Sequence, residues 1–135
     1  MIAFEYLEIE EIIEITHQKK WLNQVIFNEN KLLGDITYIF CNDDYLLKKN
    51  IQFLNHNTLT DVITFDYCKN NIINGDILIS IERVKENAKT FEVNFLTELN
   101  RVMAHGLLHL LGYKDKTESE ANLMRKKENY YLSKY

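Results

Sequence analysis

Residues 103–116, MAHGLLHLLGYKDK, gather the residue types of a metal site. His105 and His109 stand four apart, so on a helix both imidazoles leave the same face about one turn apart. That separation lets two ring nitrogens meet one divalent ion at about 2.0–2.1 Å. Gly112 ends the helix, and the chain turns back through Tyr113 and Lys114, bringing the Asp115 carboxylate within reach as a third ligand. Three protein ligands leave a fourth position for water, the layout of a catalytic rather than a structural zinc. Zinc makes that water acidic enough to attack near neutral pH. Two histidines on an apolar helix also read as satisfied core side chains; the helix-ending glycine and the returning acid bring the two readings level. A zinc protease of the HExxH kind carries a glutamate after its first histidine as general base. Gly106 stands there instead, which disfavours peptide hydrolysis by that route.

The elements that must position these groups are legible in the apolar spacing. Residues 95–111, apolar nearly all round, form the expected buried central helix carrying both histidines. Gly112 supplies its stop, because glycine takes the left-handed conformation without steric cost. Thr117 and Glu120 read as a capping box opening a last helix to about residue 132. Upstream, residues 4–9 read as a strand. Residues 14–27 read as a helix, with Ile15, Trp21, Leu22, Val25 and Ile26 at helical spacing. A β-branched and aromatic strand over 35–41 follows, then a helix N-capped by Asn42. Strands over 61–67 and 76–81 are joined by the Asn-rich turn KNNIING, and a helix over 80–91 carries Val84, Ala88 and Phe91 on one side. The pattern predicts an α+β fold: one domain over residues 1–135, a small mixed β-sheet packed with helices around a central metal-binding helix.

Composition sets outer bounds. With 135 residues, 46% hydrophobic and 27% charged, the chain suits one globular domain, which excludes disordered and collagen-like classes. The N-terminal stretch lacks the basic start of a secretory signal, and no apolar run approaches the roughly 20 residues that span a bilayer. Cys41 and Cys68 are too few and too far apart for a disulfide framework or a cysteine-based zinc site. A cytoplasmic protein with two free thiols and no membrane partner is expected. The net charge of −4 argues at face value against a nucleic-acid partner. Its distribution reverses that. Glu5, Glu8, Glu10, Glu11 and Glu14 fall in the first fourteen residues, where no base occurs, whereas residues 101–127 hold six bases against three acids.

Three motifs carry a family resemblance. HGLLHLLGY, residues 105–113, resembles the hallmark of the YbeY family, the bacterial rRNA maturation factors. TDVITF, residues 60–65, is similar to that family's TDVLSF strand, and GDILIS, residues 75–80, to its GDI-x-I strand. Together they cover the middle and C-terminal two-thirds of the chain; the first forty residues match only in length and pattern. The resemblance implies an α+β fold and a single-strand-specific endoribonuclease with one zinc ion. It also implies action on the 3′ end of the small-subunit (16S) ribosomal RNA and in ribosome quality control, with single-stranded rRNA and the ribosome or its small subunit as partners. The mildly basic C-terminal half then predicts weak, salt-sensitive RNA binding by the isolated protein, the ribosome supplying the rest.

Carried over by position, His105 and His109 match the family's first two ligands. The third is usually the histidine of GYDH; Asp115 stands there, after Lys114 in place of the usual aspartate. An Asp oxygen reaches zinc at about 2.0–2.2 Å, so zinc is predicted, although two histidines and one carboxylate also suit iron or manganese. The anionic ligand should make the bound water less acidic than a three-histidine site would. The family's arginine ahead of the TDV strand is replaced by Leu54. His56 stands in for it, or is an exposed loop histidine. Arg101, four residues before His105, is expected to contact the scissile phosphate in compensation. Glu98, seven before it, is expected to orient the His105 ring; the other reading of both is an ion pair. Asp61 and Asp76 read as site residues or as cap and turn residues, and Tyr130, Tyr131 and Tyr135 as packing aromatics rather than base-stacking platforms. The missing arginine also motivates an alternative: a ribosome-associated assembly factor whose metal is structural and which turns over no RNA.

Overall fold

Alternating apolar residues build a four-stranded sheet in the computed structural model, which describes residues 1–9, 15–55 and 60–135. The strands are β1 (Ile2–Tyr6), β2 (Leu32–Cys41), β3 (Val62–Asp66) and β4 (Ile72–Ser80). The helices are α1 (Thr16–Asn28), α2 (Asp43–Leu54), α3 (Ile81–Thr90), α4 (Phe95–Leu110) and α5 (Glu118–Leu132). Spatial order is β1-β2-β4-β3. The first three strands run parallel and β3 runs antiparallel to β4, so the fold is α+β with a mixed sheet.

Because successive side chains in a strand point to opposite faces, Ile36, Tyr38 and Phe40 of β2 join Ile73, Ile77 and Ile79 of β4 on one face. They bury there against Trp21, Leu22 and Val25 of α1 and Leu99, Met103 and Leu107 of α4. Cys41, Ile63 and Leu78 face the other way, onto Leu46 of α2. In α4, ten of sixteen residues are buried, which makes it the central helix. The Tyr38 hydroxyl ties it to the sheet by donating to the Met103 carbonyl at 2.8 Å.

Strand boundaries differ from the sequence reading. β1 begins and ends earlier, because Ile2 is buried and pairs with Ile36, while Glu8 leaves the extended region at φ 57°. β2 and β4 both extend upstream of Asp35 and Asp76, since Leu32 and Leu33 pair with Ile72 and Ile73 ahead of an irregularity at Leu33/Ile36. There the Asp35 N–H donates to Asn74 Oδ1 at 2.8 Å, and that side chain fills the space a β-carbon on Gly34 would need. The joining turn accordingly shrinks to the Lys69–Ile72 bridge, with Asn70 at φ 55°. The expected helix start at residue 14 lies outside the described residues; α1 begins at Thr16. Both cysteines are free, and burial pushes the Cys41 thiol up to about 12. Among the described residues no helix is long and apolar enough to cross a membrane.

Candidate metal centre

α4 starts at Asn94, whose side chain accepts the Thr97 N–H at 2.8 Å, and stops at Gly112 with φ 105°. The Gly112 N–H bonds the His109 carbonyl and the Tyr113 N–H bonds the Leu108 carbonyl, both at 3.0 Å, the paired bonds of a Schellman motif. This stop folds Tyr113 back over the last turn, so its carbonyl meets His109 Nδ1 at 3.0 Å. The predicted capping box then opens α5: the Thr117 hydroxyl accepts the Glu120 N–H at 3.1 Å, and the Glu120 carboxylate accepts the Thr117 N–H at 2.9 Å. Asp115 stands between stop and cap.

The structure brings the three predicted residues together. His105 Nε2 and His109 Nε2 are 3.0 Å apart, and Asp115 Oδ2 is 3.2 Å from the second and 3.3 Å from the first. Tetrahedral ligands at about 2.0–2.1 Å from zinc lie roughly 3.3–3.4 Å from one another, so the spacing fits. The proton balance fits as well. His105 Nδ1 lies 2.6 Å from Glu128 Oε2, and His109 Nδ1 faces the Tyr113 carbonyl. Both partners only accept, so the hydrogen-bond network assigns a proton to each Nδ1 and leaves Nε2 as the atom turned toward a metal. Two ring nitrogens and a carboxylate oxygen thus converge. A cation satisfies all three, and the residues present fit a divalent metal.

Behind the histidines lies a buried ionic chain. Arg101 donates from Nε and Nη2 to the two oxygens of Glu98, and from Nη1 to Glu128 Oε1 at 3.1 Å. Glu98 and Glu128 are each 2% exposed. Burial pushes the Glu128 carboxyl up, but the hydrogen bond and charge of His105, followed by those of Arg101, outweigh it and hold the group below the ordinary carboxylate range. Of the two readings of Glu98 and Arg101, the structure shows the ion pair. Glu98 does not orient His105, because Arg101 lies between them and takes both its oxygens; Glu128 from α5 does. Arg101 is held by two carboxylates rather than presented to a phosphate. Glu128 was missed in the sequence, although a signal existed: it interrupts the buried stripe Met124, Glu128, Tyr131 of α5.

A cleft of about 570 Å³ opens beside the histidines. Asn50, Thr60, Asp61 and Thr64 line its far wall, with Leu54 at the end of α2. Among the described residues no lysine or arginine lines it. His56 lies outside the described residues. Asp61 is half-buried, and its Oδ2 accepts from Asn87 Nδ2 at 3.3 Å; burial raises its carboxyl above the usual range. Asp76 shares a strand face with Leu78, on the α2 side away from the histidines. Gly106 faces the sheet: a β-carbon there would lie 2.7 Å from Ile77 Cγ2. The position where a protease would carry its glutamate therefore abuts the sheet and leaves no room for one.

Comparison with known proteins agrees with this geometry. The sequence model of the family Endoribonuclease YbeY matches residues 5–135. Endoribonuclease YbeY of Flavobacterium psychrophilum is 56% identical over 132 residues, 98% of this chain and 94% of that protein. That of Christiangramia forsetii is 53% identical over 110 residues, 82% and 77% of the two chains. The solution structure of TM1509 from Thermotoga maritima superimposes with a TM-score of 0.71 at 27% identity, covering 98% of this chain and 87% of the other. A family match over nearly the whole length, with relatives more than half identical, establishes that this chain belongs to the YbeY endoribonuclease family.

Proposed function

We propose that the chain is a metal-dependent endoribonuclease, a single domain over residues 1–135 acting in the cytoplasm. It holds one zinc ion through His105, His109 and Asp115 and cuts single-stranded RNA. Its biological substrate is the 3′ end of the small-subunit rRNA, met on the ribosome, with a part in ribosome quality control. The observation carrying this reading is the convergence of His105 Nε2, His109 Nε2 and Asp115 Oδ2 within 3.0–3.3 Å beside an open cleft. The names of the relatives support the RNA substrate.

Zinc supplies Lewis acidity toward phosphate and water when bound. The chain supplies orientation. Glu128 and the Tyr113 carbonyl hold the two Nδ1 protons, which keeps the Nε2 lone pairs directed inward. Thr60 and Thr64 bring hydroxyl groups to a strand lying in the cleft. Asp61, with Oδ2 held by Asn87 and its carboxyl raised by burial, is placed to hold a proton in the cleft wall.

His105→Ala should abolish both stoichiometric metal and cleavage of a single-stranded RNA; full cleavage by the metal-free variant overturns the reading. The assembly-factor alternative is favoured by one observation, the absence of a lysine or arginine from the described cleft lining. It predicts co-sedimentation with ribosomes without turnover. Elemental analysis of protein purified without added metal separates zinc from iron and manganese.

A further inference from the structure

The cleft poses an electrostatic problem. RNA is a polyanion, and single-strand affinity comes largely from cations that neutralise phosphates. Yet the described cleft lining carries Asp61 and Asp115 and no lysine or arginine, and Arg101 is neutralised by Glu98 and Glu128. Given the nuclease reading above, on which this inference rests, backbone binding has to come from elsewhere on the surface.

A second cavity, about 540 Å³, lies between α1 and the C-terminal part of α5. Lys20 and His17 border it from α1, and Lys134 from beyond α5; among the described residues no carboxylate lines it. In a chain of net charge −4 that is a local reversal of sign. Aromatic faces are interleaved with the cations. Tyr130 is 46% exposed, with the Lys134 ammonium 5.4 Å from its ring centroid, and the His17 ring stacks on Tyr135 at 4.5 Å. Gln24 and Asn28 add amide groups. The floor is rigid, because the buried Trp21 donates its indole N–H to the Tyr131 carbonyl at 2.8 Å. An acidic peptide would use only the charges. Cations, exposed rings and amides together match phosphates, base faces and base edges.

We propose that the α1/α5 groove is a second binding site for single-stranded RNA, one that holds the substrate strand away from the metal centre. Lys134 lies six residues beyond Glu128, the partner of His105, a rise along α5 of roughly 9 Å, about three stacked nucleotides at roughly 3.4 Å each. A dinucleotide at the metal centre therefore stops short of Lys134, whereas a 20-nucleotide strand reaches both.

The test uses the full chain and a fluorescein-labelled, unstructured 20-nucleotide RNA. Affinity is measured by anisotropy in chelator, and cleavage of that RNA and of a dinucleotide is measured with zinc. The double variant Lys20→Glu/Lys134→Glu should bind the 20-mer at least about 10-fold more weakly, with a log–log salt slope shallower by about 1.4. Tyr130→Ala should weaken binding about 5-fold or more, and the double variant should cut the dinucleotide at the wild-type rate. Circular dichroism and metal content confirm that they fold. Unchanged affinity in both variants, no measurable binding by the wild type, or displacement of the RNA by polyglutamate of equal charge each overturns the site. Binding through the groove with no cleavage of either RNA sinks the nuclease reading and leaves the groove standing. Cleavage with unaltered binding in the variants does the reverse.

Discussion

Replacing Glu128 by glutamine tests the metal centre without touching a ligand. The contact from His105 Nδ1 to Glu128 Oε2 is 2.6 Å, with the carboxylate 2% exposed and the histidine side chain 19% exposed. Solvent therefore screens it little. A hydrogen bond to an ionised acceptor contributes about 1.5–3 kcal/mol, against about 0.5–1.5 kcal/mol for a neutral one. The glutamine oxygen can keep the contact but not the charge. The difference, about 1–1.5 kcal/mol, appears as ligand basicity lost from His105 and converts to a roughly 5–13-fold weaker metal affinity. Glu128→Ala removes the contact altogether and should approach the 100-fold upper end for loss of such a partner. The assay is zinc competition against a chromophoric chelator of known affinity at neutral pH. Glu98→Gln is the control: it disturbs the same ionic chain but touches only Arg101, so it should lower stability while changing metal affinity less than about 3-fold. A Glu128→Gln affinity within about 2-fold of wild type, or an equal loss in Glu98→Gln, would refute the assignment of Glu128 as the group that orients His105.

Two further outcomes follow from the same geometry. Asp115→Ala should weaken metal binding beyond the roughly 100-fold caused by loss of an outer partner, while Asp115→His, the family's usual residue at this position, should retain it; equal metal content in all three proteins by elemental analysis would remove Asp115 from the ligand set. Glu29 concerns acid stability. Burial pushes its carboxyl up, but the hydroxyls of Tyr113 and Tyr131 and the Lys127 ammonium outweigh this and hold it below its ordinary value. A lowered folded-state value adds stability that is complete above the unfolded carboxylate range and is lost as pH falls through the folded value. Urea unfolding should accordingly show wild type losing more stability than Glu29→Gln between about pH 5 and pH 3; parallel losses would contradict the shift.

What could be read from the sequence was local. The histidine pair, the Gly112 stop and the Thr117–Glu120 box each involve residues within one or two turns, and helix geometry alone relates them. Glu128 could not be placed that way, because its contact to His105 spans 23 residues and exists only once α5 packs on α4. Spacing put Glu98 and Arg101 on the correct face of α4 but could not show that they satisfy each other. Strand ends were misplaced for a similar reason. Ile2 lies in a strand because its parallel partner β2 extends past it, and Leu32 and Ile72 because they pair with each other; a partner's position is invisible in a strand's own alternation. The cleft wall formed by residues 60–64 entered through a family motif rather than through periodicity.

Asp115 occupies a short span between two fixed points, the Tyr113 N–H closing α4 on Leu108 and the capping box opening α5. Only Lys114, Asp115 and Lys116 lie between them. Holding a residue's backbone in one conformation costs about 1–2 kcal/mol of entropy. Here that loss is incurred when the two helices form, before an ion arrives. Asp115, the proposed third ligand, thus sits on a three-residue span pinned at both ends, and metal capture would have less backbone freedom left to remove. Two devices of helix punctuation, neither touching the ion, would thereby help to set how tightly it is held.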